Sequence, residues 1–195
     1  MSGRQLPRWS TANRHLLALS LTAIGILVLD QSTKIIALKA LLPSQPQQAL
    51  GDFLQWNLVF NEGGAFSSNL GNSQFYTFAA IFVTILILIV LAKDAGKSKL
   101  LDYSLAMVVG GALGNLTDRL YYGKVVDFID VDFFDIHLEP AKVLFYNFPG
   151  YHMTRWPVFN IADSAVSVGM VLIIIALIFD SRKKSCAINP TDSSA

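Results

Sequence analysis

Of 195 residues, 53% are apolar and only 15% are charged, with a mean hydropathy of +0.47; the chain is too oily for an ordinary soluble domain and too short for a large transporter. A formal charge of +1, with no basic stripe to follow a phosphate backbone, argues against nucleic-acid binding. The single cysteine, Cys186, excludes an internal disulfide and a cysteine-built metal cage. The expectation is one all-α integral membrane domain over residues 1–184 and a polar, disordered tail at 185–195.

Four stretches approach the roughly 20 residues that a helix needs to cross about 30 Å of hydrocarbon. The first runs from about His15 to Leu42 and is uninterrupted only from Leu16 to Leu29, before Asp30. Its basic approach (Arg4, Arg8, Arg14) raises a signal peptide as an alternative. That is disfavoured because no small-residue cleavage site precedes Asp30 and the helical pattern continues through IIALKALL. The loop from Pro43 to Ser73 contains no lysine or arginine. Within it Leu54, Trp56, Leu58 and Phe60 alternate with Gln55, Asn57 and Val59, the two-residue period of a half-buried strand able to lie on a membrane surface. The strand runs into NEGGAF, where Gly63 and Gly64 permit close backbone approach to a ligand; an ordinary hairpin turn accounts for them equally well.

The second span covers Phe75 to Ala92 and the third Leu100 to Tyr121, joined by a connection carrying Lys93, Lys97 and Lys99. The long segment Val126 to Pro157 holds Asp127, Asp130, Asp132, Asp135 and Glu139, then aromatic FYNFPGYHMTRW. Most of these acids read as a solvated face. A calcium site from Asp130, Asp132 and Asp135 is disfavoured, because the glycine and bidentate glutamate of an EF-hand loop are missing. Trp156 and Tyr151 suit an interfacial belt. The fourth span, Phe159 to Phe179, precedes Arg182, Lys183 and Lys184. Lysine and arginine thus gather before span one, between spans two and three, and after span four, which places both termini in the cytoplasm and both polar clusters outside.

Those clusters, NLTDRLYYGKVVDF (115–128) and FNIADS (159–164), carry the chemistry. Asn115, Asp118 and Arg119 share one helical face, with Arg119 able to pair with Asp118 or another acid; Asn160 and Asp163 share another, and Asp30 with Lys34 has the order of an intrahelical ion pair. Small-residue stripes, Gly110 with Gly114 and Ala165 with Gly169, predict close packing of spans three and four. Asp163 then reaches Asp127. Two carboxylates a few ångströms apart share a proton, which is aspartic-protease chemistry: one ionised group takes a proton from water while its protonated partner polarises the scissile carbonyl. Zinc is disfavoured because His15, His137 and His152 lie outside the clusters, and no metal or other cofactor is expected. Ser164 lacks a histidine neighbour and a nucleophile elbow. A polar clamp between helices, or a proton relay through Asp30, Asp127 and Asp163 in a small transporter, remains open on spacing alone. The G-x-G-D motif of presenilin-like proteolysis is absent.

With DQSTK (30–34), NEGGAFS (61–67), GGALGNLTDRL (110–120), VVDF (125–128) and FNIADS in order, the chain resembles the bacterial lipoprotein signal peptidases, also called signal peptidase II. The resemblance implies Asp127 and Asp163 as catalytic dyad, substrate and inhibitor contacts at Asn61, Gly63, Asn115, Arg119 and Asn160, and support from Asp30, Lys34 and Asp118. Together with the spans and charge pattern above, the expectation is a monomer in the bacterial inner membrane with four transmembrane helices, a small extracytoplasmic strand element, and a long extracytoplasmic loop between helices three and four. The implied substrates are diacylglyceryl-modified prolipoproteins, cut just before the modified cysteine among membrane lipid, with globomycin as inhibitor. One departure is the added length around IHLEPAKVLFYNFPGYHMTR, expected to form a lid or surface-lying element.

Overall fold

Ser10 opens the first helix, α1 (Thr11–Ala40), by accepting a hydrogen bond from the Asn13 backbone N–H at 3.2 Å, which satisfies one of the four donors that a helix start leaves unpaired. In the computed structural model, residues 10–63, 73–133, 135–143, 145–148 and 150–188 are described; Arg4, Arg8, Gly64 and the tail from 189 lie outside the described residues. The other helices are α2 (Ser73–Asp94), α3 (Lys99–Tyr122) and α4 (Ile161–Ile188). All four are long and apolar enough to cross a membrane. α4 continues four residues into the stretch expected to be disordered.

The most and the least apolar helices lie at opposite extremes of burial, as a bilayer demands. α2, the most apolar span, leaves Phe78 and Phe82 exposed to what is lipid in a membrane. α3, the least apolar, is half buried and packs against the other three helices. Asn115, Asp118 and Arg119 are therefore carried by the helix with the most protein around it, facing the polar groups of α1 and α4. Glycine sets the spacing, though not in the predicted pairing. Gly110 faces α1, where a Cβ would lie 2.7 Å from the Ala23 carbonyl oxygen, and Gly111 faces α4, where it would meet the Ala162 carbonyl oxygen at 2.5 Å. Gly114 and Gly169 complete the close approach, so successive glycines serve two neighbours rather than one stripe serving α4.

Gly123, in the left-handed region (φ 72°), ends α3 by donating its N–H to the Arg119 carbonyl at 3.0 Å. The chain then folds straight into β3 (Val125–Val131), the last strand of an antiparallel sheet ordered β1 (Gln47–Leu50), β2 (Leu54–Asn61), β3. β2 starts where the alternation predicts. Its period breaks, however, because a bulge lies between Trp56, paired with Ile129, and Val59, paired with Asp127. Leu58 is consequently buried while Trp56 is exposed. Reciprocal backbone bonds between Ile129 and Phe159, at 2.8 and 3.0 Å, tie β3 to the start of α4.

The added segment is a ribbon rather than an irregular loop. β4 (Ile136–Leu138) pairs with β7 (Tyr151–Met153), and between them β5 (Ala141–Val143) pairs with β6 (Tyr146–Phe148). At its base Arg155 donates to Asp130 (2.8 Å), Asp132 (3.3 Å) and the Asp52 carbonyl (2.9 Å). Asp130, expected to face water, is buried by this clamp and by Asn57. Trp156, expected in an interfacial belt, packs edge-on against Phe133.

Candidate active site

The site begins in α1 with a buried lysine. Lys34 Nζ lies 2.8 Å from Asp30, one turn back, and 2.7 Å from Asp118 of α3, and donates to Asn115 Oδ1 at 3.0 Å. All three ammonium protons are thereby used. Asp30 also accepts the Ala162 N–H of α4 at 2.9 Å, and Asp118 accepts the Val126 N–H of β3 at 3.0 Å. One ion cluster thus fixes α1, α3, β3 and α4 relative to one another. Gly114 makes room for it, since a Cβ there would stand 2.5 Å from Asp30 Oδ2. Of the partners open to Arg119, Asp118 or another acid, Asp118 is held by Lys34, and Arg119 turns its Nη2 to the Gly63 carbonyl at 3.2 Å.

Above this cluster sits Asn160, fully buried at the foot of α4. Its Oδ1 accepts the Asp163 N–H at 2.9 Å and its own N–H donates to Asp163 Oδ2 at 3.2 Å, a reciprocal arrangement that caps the helix. Its amide nitrogen donates to Asp127 Oδ1 at 2.6 Å and to Asn115 Oδ1 at 3.1 Å. Asn115, whose oxygen is taken by Lys34 and Asn160, must present its NH₂ to Asp163, 2.7 Å away. Asn61 of β2 donates to Asp127 Oδ2 at 3.0 Å and accepts from the Gly63 N–H at 2.9 Å. The two carboxylates expected to meet, Asp127 and Asp163, are therefore brought onto one asparagine.

Asp127, in β3, lies outside the spans and is only 1% exposed. Burial, reinforced by the negative charge of Asp163, pushes its carboxyl from the ordinary 3.8 up to about 7, against the opposing pull of the Asn61 and Asn160 hydrogen bonds. Asp163 instead faces a cavity of about 560 Å³ whose polar end includes Asn61, Asn115 and Arg119. The buried Arg119 Nε has no hydrogen-bond partner among the described residues. Most of the remaining wall is apolar, with Ala80 of α2, Ala112 of α3, Val168 of α4 and Trp156 among its residues.

Spacing did not identify Gln31, whose Nε2 donates to Asp118, Asp30 and the Gly114 carbonyl at 2.9, 3.2 and 3.1 Å. Its signal was its place beside Asp30 in a polar interruption of an apolar span. Tyr76 and Trp156 were missed as cavity-wall residues, since aromatics near a membrane edge carry no such signal singly. His15, read as outside the clusters, pairs with Asp102 at 2.7 Å, at the far ends of α1 and α3. Among the described residues no group of three or more His, Cys, Asp or Glu is arranged to hold a metal ion.

Comparison with known proteins adds an independent line. Residues 22–179 match the family model described as signal peptidase (SPase) II. A lipoprotein signal peptidase of Polynucleobacter necessarius is 40% identical over 156 residues, 78% of this chain and 83% of that protein. One from Staphylococcus carnosus is 34% identical over 160 residues, 82% and 89% of the two chains. Among solved structures, a bacterial membrane enzyme determined by the in meso method at 2.3 Å resolution superposes with a TM-score of 0.70 at 30% identity, covering 87% of this chain and 92% of that one.

Proposed function

The chain belongs to the signal peptidase II family, a family of proteases, and on that premise we propose that it removes signal peptides from prolipoproteins, cutting before the diacylglyceryl-modified cysteine with Asp127 and Asp163 as an aspartic dyad. The observation that carries this reading is the Asn160-bridged pair of carboxylates, supplied with amide donors alone, beside a cavity that runs down apolar helix faces. A lipid-anchored peptide needs that combination. Its acyl chains stay against apolar walls while its backbone meets polar groups, so neither is moved into the wrong solvent.

Asp127, the more deeply buried, carries the proton, and Asp163, facing the cavity, is ionised. A water in the cavity gives a proton to Asp163 and its oxygen attacks the scissile carbonyl carbon. The carbonyl oxygen takes the place of the Asn61 amide on Asp127 and receives the Asp127 proton, giving a neutral diol. Asp163 then protonates the amide nitrogen, Asp127 recovers a proton from a diol hydroxyl, and the C–N bond breaks into acid and amine. Both carboxyls return to their starting states. The Arg119 Nε–H, without a partner among the described residues, and the Asn115 amide hold substrate carbonyls near the pair. Asp30, Lys34 and Asp118 support Asn115 and the first turn of α4.

The basic residues at one end of the bundle favour cytoplasmic termini and an extracytoplasmic site, at the outer face of a bacterial cytoplasmic membrane. Gel-shift assay of a lipid-modified prolipoprotein tests the dyad. Asp127→Asn and Asp163→Asn, each isosteric, are each expected to lose about 10⁴-fold in processing rate with the fold retained by thermal melting. Undiminished processing by either variant removes the assignment.

A further inference from the structure

Far from the aspartates, α1 and α2 part over the surface of α3 and leave a groove of about 1070 Å³. Asp102 precedes Asn115 by 13 residues on α3, so the mouth of this groove is about 20 Å from the site described above. Its floor is small and apolar, built from Leu19 and Ala23 of α1 with Ala106 and Val109 of α3, and Leu88 and Leu91 of α2 form the opposite wall. These are membrane-spanning lengths of helix, so the groove opens to acyl chains rather than to water.

The mouth is of different character. Arg14 and Lys99 stand exposed at it, with His15 beside them, and among the described side chains no aspartate or glutamate lines it. Asp102, behind His15, is 2% exposed, and its Oδ2 is occupied by His15 and by the Gly96 N–H, both at 2.7 Å. The amino ends of α1 and α3 meet here, and Ser98, at the N-cap of α3, makes no side-chain hydrogen bond to the helix. Two cations, two helix amino ends and uncapped N–H groups therefore surround the opening of an apolar slot.

We propose that this groove binds an anionic glycerophospholipid of the surrounding bilayer, its phosphodiester at Arg14, Lys99 and the first turn of α3, and one acyl chain along the slot. A soluble anion would leave the apolar walls unused. A zwitterionic lipid would bring an ammonium group against the two exposed cations Arg14 and Lys99.

The test is native mass spectrometry of the full chain in detergent, titrated with equimolar phosphatidylglycerol and phosphatidylethanolamine of identical acyl chains. The expected preference for phosphatidylglycerol is on the order of tenfold or more, from about 1 kcal/mol per basic residue. It falls to within about twofold in an Arg14→Ala/Lys99→Ala double variant. Both positions are exposed, and unchanged melting in lipid-free detergent verifies the fold. Ala92→Phe, which fills the slot from an exposed position on its wall, lowers phosphatidylglycerol binding to the level of the double variant. Lys39→Ala, removing an exposed cation from the other end of α1, leaves the preference intact. Equal binding of the two lipids by the native chain overturns the proposal. So does a preference that survives the double variant, or Ala92→Phe, or one that Lys39→Ala abolishes equally well.

Discussion

Asp30 and Asp118 share a cation, whereas Asp127 and Asp163 share an asparagine. Asp30, Asp118 and Asp127 are equally buried, none more than 1% exposed, so burial does not separate the proposed support from the proposed chemistry. What separates them is the partner. Lys34 stands 2.8 and 2.7 Å from the first pair, and backbone donors with the Gln31 amide fill their remaining positions, an arrangement that balances and fixes two buried carboxylates. The second pair receives amide donors from Asn61, Asn115 and Asn160, which orient carboxylates without neutralising them. In the proposed mechanism such a pair shares one proton. The clusters are joined through Asn115: the Lys34 ammonium takes its oxygen and so aims its NH₂ at Asp163.

Breaking the first cluster is expected to cost fold before chemistry. Lys34→Met leaves Asp30 and Asp118 buried without a cation, a loss of about 3–5 kcal/mol, to be read as a lowered melting temperature in detergent. Lys34→Arg does not restore it, because a planar fork cannot replace three tetrahedral donors in that space. Gly114→Ala comes next. Its methyl carbon would stand 2.5 Å from Asp30 Oδ2 and 3.2 Å from the Ala162 Cβ, and pushing α1 and α4 apart costs about 1–3 kcal/mol. Melting of Gly114→Ala, set against Ala substitution at Gly25, where nothing lies within 4 Å, isolates the steric part. Equal melting of the two variants removes the packing argument.

The same contrast marks how far the sequence can be read. Four spans, the β2 strand and the Asp30–Lys34 pair follow from period and spacing, because each depends on residues a few positions apart. The partner of Asp118 does not. Both Lys34 and Arg119 were within plausible reach, and only the packing of α1 on α3 through Gly110 and Gly114 decides for Lys34. The β2 bulge escapes for a similar reason: it is set by pairing with β3, sixty and more residues on. The ribbon between β3 and α4 was hidden because its strands are three residues each, too short for a period. Asn160 was visible only as a helical neighbour of Asp163; its role as bridge to Asp127 belongs to the tertiary fold.

The smallest expected effect is also the most specific to the second pair. With Asp127 pushed up to about 7 by burial and by the charge of Asp163, the processing rate should fall as pH rises through about 7, approaching tenfold per unit where one proton is lost. Stability shifts in the same direction. The folded chain holds a proton on Asp127 that the unfolded chain releases near 3.8, so this contribution is full below about 4 and disappears as pH rises through about 7. Asp127→Asn flattens that dependence. Asn61→Ala removes a hydrogen bond that favours the charged form, so the alkaline limb of the rate profile moves to higher pH whatever happens to its height. A limb that stays in place in Asn61→Ala, or persists in a residually active Asp127→Asn enzyme, assigns the titration to another group and leaves Asp127 no more than a buried tie between β3 and Asn160.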